Sequence, residues 1–532
     1  MEVLTDVAFL SRLQFALTVA FHFIFVPMSI GIGLILAVTE TRYYKSRDPK
    51  DEAASWLWTK IFTTTFVIGV ATGITMEFSF GTNWANYSRF VGDIFGAPLA
   101  AEALFAFFLE STFLGVVLFG RKKVGPKFYL VSTWLVWLGS CLSALWILIA
   151  NSWMQTPAGA ELASDGSKAV LTDFFAAAFN ASTGERYFHT VLSLLVMGGF
   201  IAMAVAAVYL KRGQHRTFAE RTLKTGVVVA LVCTCALMVS AHATAKEVTE
   251  EQPTKIAMME GAYSSESLPM YVVGYVDQET GEVHAPIAIP GMTSWLASGD
   301  ATTEYPGLIE LAEQNPDLDV SSMPVNATFV SYHVMICLMG LIALLLLLGL
   351  FAAFKKNSRL RNARWWQVLT IVSPLVPFAA IQAGWMTAEV GRQPYVVYPA
   401  TSSPAGIKLL TDDAISMSVS ATELWITIIL FVLVYLLLFI AWVRLIRMQL
   451  AEGPLTADER EARRAQRKAQ RAAKKGAHGS KAAAEKSADA SVATPATGAG
   501  SAPSSEPDPA PGTATGSAPD DTVTGSDTTE GK

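Results

Sequence analysis

The sequence predicts an all-α integral membrane protein of about nine transmembrane helices, with the N-terminus outside, the C-terminus cytoplasmic, a long acidic outer loop and a disordered tail. Three observations predict it. Of 532 residues, 52% are hydrophobic and only 16% charged, against about 25% charged in an average soluble chain. Apolar runs long enough to cross a bilayer recur near 13–40, 56–80, 98–120, 128–151, 187–210, 223–245, 327–354, 366–388 and 417–446. The loops between them alternate in charge.

Taken in order, the first run has no basic region before it and no small-residue cleavage site after it. It reads as a retained helix, not a signal peptide. Arg42, Lys45, Arg47 and Lys50 follow the first span, and Arg121, Lys122, Lys123 and Lys127 the third. Lys211, Arg212, Arg216 and Arg221 follow the fifth, and Lys355, Lys356, Arg359, Arg361 and Arg364 the seventh. Loops after even-numbered spans nearly lack lysine and arginine. Cationic loops stay in the cytoplasm, which sets the orientation. Cys141, Cys233, Cys235 and Cys337 all lie in apolar runs and read as small core residues, not disulfide partners.

The outer loop, 246–325, carries Glu247, Glu250, Glu251, Glu260, Glu266 and Asp277 but few bases beyond Lys246 and Lys255. Its segment Pro269-Met-Tyr-Val-Val-Gly-Tyr275 is too apolar for plain disorder, so a partly folded cap is expected. The organisation is thus a membrane domain over 1–450, including that loop, and a tail over 451–532. The tail opens basic between Arg460 and Lys475 and fades into Ala, Pro, Ser, Thr and Gly. Such a composition cannot bury enough apolar surface to order itself, and its basic part suits anionic lipid.

Chemistry is expected where ionisable groups lie in the membrane, because they are costly there unless paired or bound. Glu389 and Arg392 stand three apart where the eighth run ends, beside Trp385 and Tyr395; the two aromatic residues also suit an interfacial anchor. His22 sits midway through the first run among aromatic residues. It reads as a metal or haem ligand, or as a histidine bonded to a neighbouring helix. His189 and Met335 fall in the outer halves of the fifth and seventh runs. A His/Met pair can hold a low-spin haem; Met335 also reads as core filler, and His333 is a rival ligand. Glu102 and Glu110, eight apart in the third run, fall in one half of a regular helix, roughly 12 Å apart along its axis. They read as a proton relay or as neutral, hydrogen-bonded acids. Glu77 is a third acid near the outer surface.

These residues lie in blocks that resemble subunit I of cytochrome bd-type quinol oxidases. The blocks are Ser11-Arg-Leu-Gln-Phe-Ala-Leu-Thr18, Gly69-Val-Ala-Thr-Gly-Ile-Thr-Met-Glu-Phe78, Gly92-Asp-Ile-Phe-Gly-Ala-Pro98 and Phe107-Phe-Leu-Glu-Ser-Thr-Phe113. Ala144-Leu-Trp-Ile-Leu-Ile-Ala-Asn-Ser-Trp-Met-Gln155, Gln252-Pro-Thr-Lys255 and Gly391-Arg-Gln-Pro394 follow in order. The resemblance runs from about 8 to 447 and leaves out the tail.

It implies three haems: a low-spin haem b558 on His189 and Met335, a high-spin haem, most often haem d, on His22, and a high-spin haem b595 on Glu389. It implies that Arg392 and Trp385 flank the haems, that Lys255 and Glu260 contact quinol, and that Glu102 and Glu110 form a proton path with Asn151 beside them. The implied activity is oxidation of quinol (menaquinol or ubiquinol) at the outer face of a bacterial plasma membrane and reduction of dioxygen to water, generating proton motive force without pumping. The implied partners are a homologous-fold oxidase subunit II and a small single-helix subunit; no nucleic acid is expected. Two positions and one loop depart from the family pattern. His333 stands where an arginine is usual, Tyr395 where a tryptophan is, and the outer loop is shorter than in the long-loop branch. The same fold with only b haems, a cyanide-insensitive oxidase, is the nearest alternative. A haem-binding transporter or scaffold is a further one, but it would call for internal repeats or paired broken helices, and no internal repeat is visible.

Overall fold

The computed structural model describes residues 5–466 and 469–470. The chain divides into two units, Met1–Glu461 and Ala462–Lys532; nearly all of the second, and most of the expected tail, lies outside the described residues.

Among the described residues, nine helices are long and apolar enough to cross a membrane. They are Val7–Ser46, Pro49–Thr82, Gly92–Phe119, Pro126–Gln155, Thr183–Arg212, Arg216–Glu251, Val325–Phe354, Arg364–Val390 and Ala421–Glu452, called here spans one to nine. Most overrun the apolar runs that announce them, because a helix continues where its side chains turn polar and leave the hydrocarbon. Local chemistry sets the ends. Asp6 accepts from the Ala8 N–H at 2.9 Å to start span one, and Asp48 followed by Pro49 starts span two. Ser420 and Glu423 form a reciprocal capping box at span nine.

Two spans are irregular. Span three widens into a π-helical stretch over Glu102–Phe107, which turns less per residue than an α-helix. Span eight breaks between Arg364–Val372 and Leu375–Val390, at Pro374, whose ring nitrogen cannot donate.

Span five is the centre of the bundle: 78% of its most apolar window is buried, against 11% for span nine. Adjacent glycines explain how its neighbours come so close. A Cβ on Gly198 would lie 2.4 Å from the Gly31 Cα of span one, and one on Gly199 would lie 2.7 Å from the Gly226 carbonyl oxygen of span six. Only small residues allow such crossings. Gly31→Leu should force spans one and five apart and destabilise the fold by roughly 1–3 kcal/mol or more. A lowered thermal midpoint of the detergent-extracted protein checks this, and an unchanged midpoint contradicts it.

The long loop begins later than the charge pattern suggests. Span six stays helical through Glu251, with Lys246 and Glu250 paired at 3.8 Å one turn apart, so Glu247, Glu250 and Glu251 belong to the helix. Beyond it come the helix Pro253–Glu260, a hairpin of Met270–Asp277 on Glu282–Ile289, and the short helices Met292–Ser298 and Leu308–Gln314. Asn326, at the start of span seven, clamps the hairpin: it accepts from the Val276 N–H at 2.7 Å and donates to the Val276 carbonyl at 2.6 Å. Val276, Leu308 and Phe329 are buried beneath.

One expectation about the cysteines needs correcting. Cys141 and Cys233 are buried, but Cys235 and Cys337 are exposed. Cys235 is two residues from Cys233 and so turns to the outer face of span six.

Candidate functional site

The site grows from one side of span four. Ser140, Ser143, Asn151 and Gln155 fall within about a third of the helix circumference, and each meets a residue that the sequence singles out.

Deepest is Glu110. It is 5% exposed, packs its Cγ on Gly139 and reaches the Ser140 hydroxyl. Glu102 accepts from the Ser143 hydroxyl at 2.6 Å. A regular helix would offset the two acids by about 80°. The π stretch between them turns less per residue, so both face span four. Glu77 is exposed.

Towards the end of the bundle that carries the long loop, the Asn151 amide donates to Glu389 Oε1 at 3.0 Å and Gln155 Nε2 reaches the same oxygen at 3.4 Å. Asn151 therefore belongs with Glu389; Glu102 and Glu110 have their own partners on span four. Glu389 Oε2 pairs with Arg392, whose other terminal nitrogen donates to the Val396 carbonyl. Gln155 also turns outward: its Oε1 accepts from the Lys255 amine at 2.5 Å, and Lys255 bonds Gln252 Oε1 at 2.7 Å. Glu389 and Lys255, 134 residues apart in sequence, are thus joined through one side chain. A Cβ on Gly391 would meet Lys255 Cγ at 3.0 Å, so glycine there lets the lysine stem pass.

Lys255 and Glu260 do not meet. They are five apart on one short helix and leave it on different sides. Glu260 lies between the loop helix Met292–Ser298, whose Thr293 donates to its Oε1 at 2.8 Å, and span seven, whose His333 Nε2 lies 3.7 Å from its Oε2. Burial and the neighbouring Arg186 charge push the Lys255 amine well below the usual lysine range. Burial raises the Glu260 carboxyl above the usual range.

Two charged residues went unnoticed as members of the site. Arg186, 9% exposed, donates to Gln252 Oε1 at 3.3 Å. Glu247, 6% exposed, lies in electrostatic reach of Arg186 and Lys255. The available signals were the position of Arg186 one turn before His189 inside an apolar span, and the helical continuation that turns Glu247 inward.

Several features suit a large planar cofactor. The His22 Nδ1 lies 2.9 Å from the Thr72 hydroxyl, which spends its own proton on the Ile68 or Gly69 carbonyl. Nδ1–H is then the donor, which leaves Nε2 as a bare acceptor. His189 Nδ1 is buried without a hydrogen-bond partner. Gly73 and Gly384 lack a side chain where a Cβ would meet His22 Cε1 at 3.2 Å and Met335 Sδ at 3.0 Å. Trp385 meets Phe23 edge-on at 5.1 Å, and both join the cluster that holds Tyr187, Val191, Leu338 and Met339. Glu389 keeps 33% of its side chain accessible, so the protein leaves part of the carboxylate uncovered. The donor set of imidazole, thioether and carboxylate fits haem iron. Among the described residues, no three His, Cys, Asp or Glu side chains cluster as a bare metal site would.

Fold and site together define a multi-pass membrane protein whose bundle carries half-buried histidines, a methionine and a carboxylate paired with arginine. A family model described as cytochrome bd terminal oxidase subunit I matches residues 10–454, and the chain belongs to that family. It is 34% identical over 510 residues to the cytochrome bd-II ubiquinol oxidase subunit 1 of Escherichia coli (strain K12), covering 84% of this chain and 97% of that one. It is 34% identical over 434 residues to the cytochrome bd ubiquinol oxidase subunit 1 of Bacillus subtilis (strain 168), covering 81% and 90%. The solved bd oxidase from Geobacillus thermodenitrificans superposes with a TM-score of 0.75 at 25% identity, over 85% of this chain and 99% of that chain. The chain is therefore a multi-pass plasma-membrane protein of the quinol:dioxygen oxidoreductase class, and its family uses haem.

Proposed function

We propose that the chain is the haem-bearing subunit of a terminal respiratory oxidase, oriented with its long loop outside. Quinol would give up electrons and protons at that loop, dioxygen would be reduced to water inside the bundle, and potential would form without pumping. One observation carries this reading: the unbroken polar contact from Lys255 on the loop helix through Gln155 to Glu389 and Arg392 inside the bundle.

In this reading His189 and Met335 would hold a low-spin haem b, His22 would hold haem d, and Glu389 would hold a high-spin haem b. When bound, these groups supply one-electron carriers and an iron open to dioxygen. The protein does the rest. Asn151 and Gln155 orient the Glu389 carboxylate, and Arg392 balances its charge. Arg186 and Arg392 are set against Glu247 and Glu389, so the buried charges of the cluster are balanced without Lys255. Phe23 keeps Trp385 edge-on in the wall between spans one and eight. Glu102 and Glu110 carry protons along span four, and Glu260 hydrogen-bonds quinol at the outer face. Menaquinol and ubiquinol both fit this chemistry. A subunit II of similar fold and a small single-helix subunit complete the complex, and the tail after 450 takes no part in turnover.

Glu260→Gln should slow quinol oxidation by about tenfold to a hundredfold, the worth of a buried charge-assisted hydrogen bond. It should spare oxygen uptake driven by an artificial electron donor. Lys255→Met should slow quinol oxidation to a similar degree. Oxygen-electrode rates with both donors check this; equal losses with both donors in Glu260→Gln contradict the quinol-side assignment.

A further inference from the structure

His333 has no place in the scheme above, and its surroundings supply one. The residue is 2% exposed. Its Nδ1 lies 2.8 Å from the Phe329 carbonyl one turn earlier; a carbonyl can only accept, so Nδ1 carries the proton and Nε2 is the free end of the ring. Three rings fix its plane: Phe329 at 4.2 Å, Tyr332 at 5.0 Å and Tyr271 of the hairpin at 5.9 Å. So held, Nε2 points at Glu260 Oε2, 3.7 Å away. Both atoms are buried, neither has a partner within 3.5 Å, and the Tyr332 hydroxyl is the other group turned towards the Glu260 carboxyl. Unpaired buried polar atoms are costly; with the ring proton on Nδ1 the free Nε2 can only accept, so the bond forms when Oε2 carries the carboxyl proton and donates it, after a small side-chain shift to ~3 Å. The other oxygen of Glu260 is already held by Thr293.

The same geometry argues against His333 as an iron ligand. Residues two apart on a helix point about 200° apart, and Met335 lies against Gly384 of span eight, whereas His333 faces the loop.

We propose that His333 is a positioning residue: with Thr293 it clamps the Glu260 carboxyl in one rotamer, so that quinol meets a preset hydrogen-bonding group. This rests on the reading of Glu260 as a quinol-side residue and adds the element that orients it. A glutamate side chain has several free torsions, and fixing them before binding lowers the entropy cost of each encounter.

The test compares His333→Asn with His333→Gln in the membrane-extracted complex. Asparagine keeps an N–H near the height of Nδ1 and stops short of Glu260; glutamine places its amide near the height of Nε2. The Asn variant should lose about tenfold in kcat/KM for quinol, the Gln variant should recover most of it, and both should keep the low-spin haem spectrum and artificial-donor turnover. Normal quinol kinetics in His333→Asn overturn the proposal, as does an equal loss in both variants, which marks a packing role. Loss of the low-spin spectrum in His333→Gln overturns it in favour of ligation. Glu260→Gln, run alongside, separates the two levels. If its quinol kinetics are normal, the quinol-side reading itself fails; if they are impaired while His333→Asn is normal, only the clamp fails.

Discussion

His189→Ala is expected to give a membrane-inserted protein that lacks the low-spin haem and has lost quinol oxidase activity by roughly a hundredfold or more. The fold should survive because the packing of span five does not depend on this ring. Val191, Leu194, Leu195, Val196 and Met197 hold it in the core, and Gly198 and Gly199 set its crossings. The alanine would remove one of the two proposed haem ligands and leave the helix intact. Met335→Ala should do the same from span seven, where the thioether lies against Gly384. Optical spectra of the two variants, with the yield of inserted protein as control, check the assignment. A normal low-spin spectrum in Met335→Ala would mean that the second axial bond comes from another residue.

Glu110→Gln should lower oxygen consumption on the order of a hundredfold while the high-spin haems are retained, as removal of an essential proton carrier does. The hydrocarbon core of the bilayer excludes water, so protons consumed within the membrane need a chain of titratable or polar groups. Glu110 against Gly139 and Ser140, and Glu102 on Ser143, supply two links on one side of span four. Glutamine keeps the volume and one hydrogen-bonding role but cannot exchange a carboxyl proton. Glu102→Gln should behave likewise. Loss of haem in either variant would make that acid structural for the cofactor pocket. Full activity and undiminished membrane potential in both would refute the relay.

The nine spans were legible because the bilayer imposes a length and an apolar composition that a linear sequence cannot hide. Glu389 and Arg392 were legible as a pair because three residues on a helix is a local distance. The contacts that build the rest of the site are not local. Gln155 reaches Lys255 and Glu389 across separations of 100 and 234 residues, and nothing in either segment announces the other. Asn151 was placed beside Glu102 and Glu110 because they all match the family's proton path; in three dimensions its amide turns to Glu389. The π stretch at Glu102–Phe107 has no composition of its own, so a regular helix was the only available expectation. Arg186 and Glu247 were overlooked for opposite reasons, one hidden inside an apolar run and the other counted with a loop it does not belong to.

The central claim is that this bundle holds three haems on His22, on His189 with Met335, and on Glu389. The most direct test is a reduced-minus-oxidised optical spectrum of the purified complex, with extracted haem counted per chain. The account predicts three haems per chain, a low-spin b signal that vanishes in His189→Ala, and a red-shifted chlorin band that marks haem d. A complex with fewer than three haems per chain, or an intact low-spin signal in His189→Ala, would contradict it.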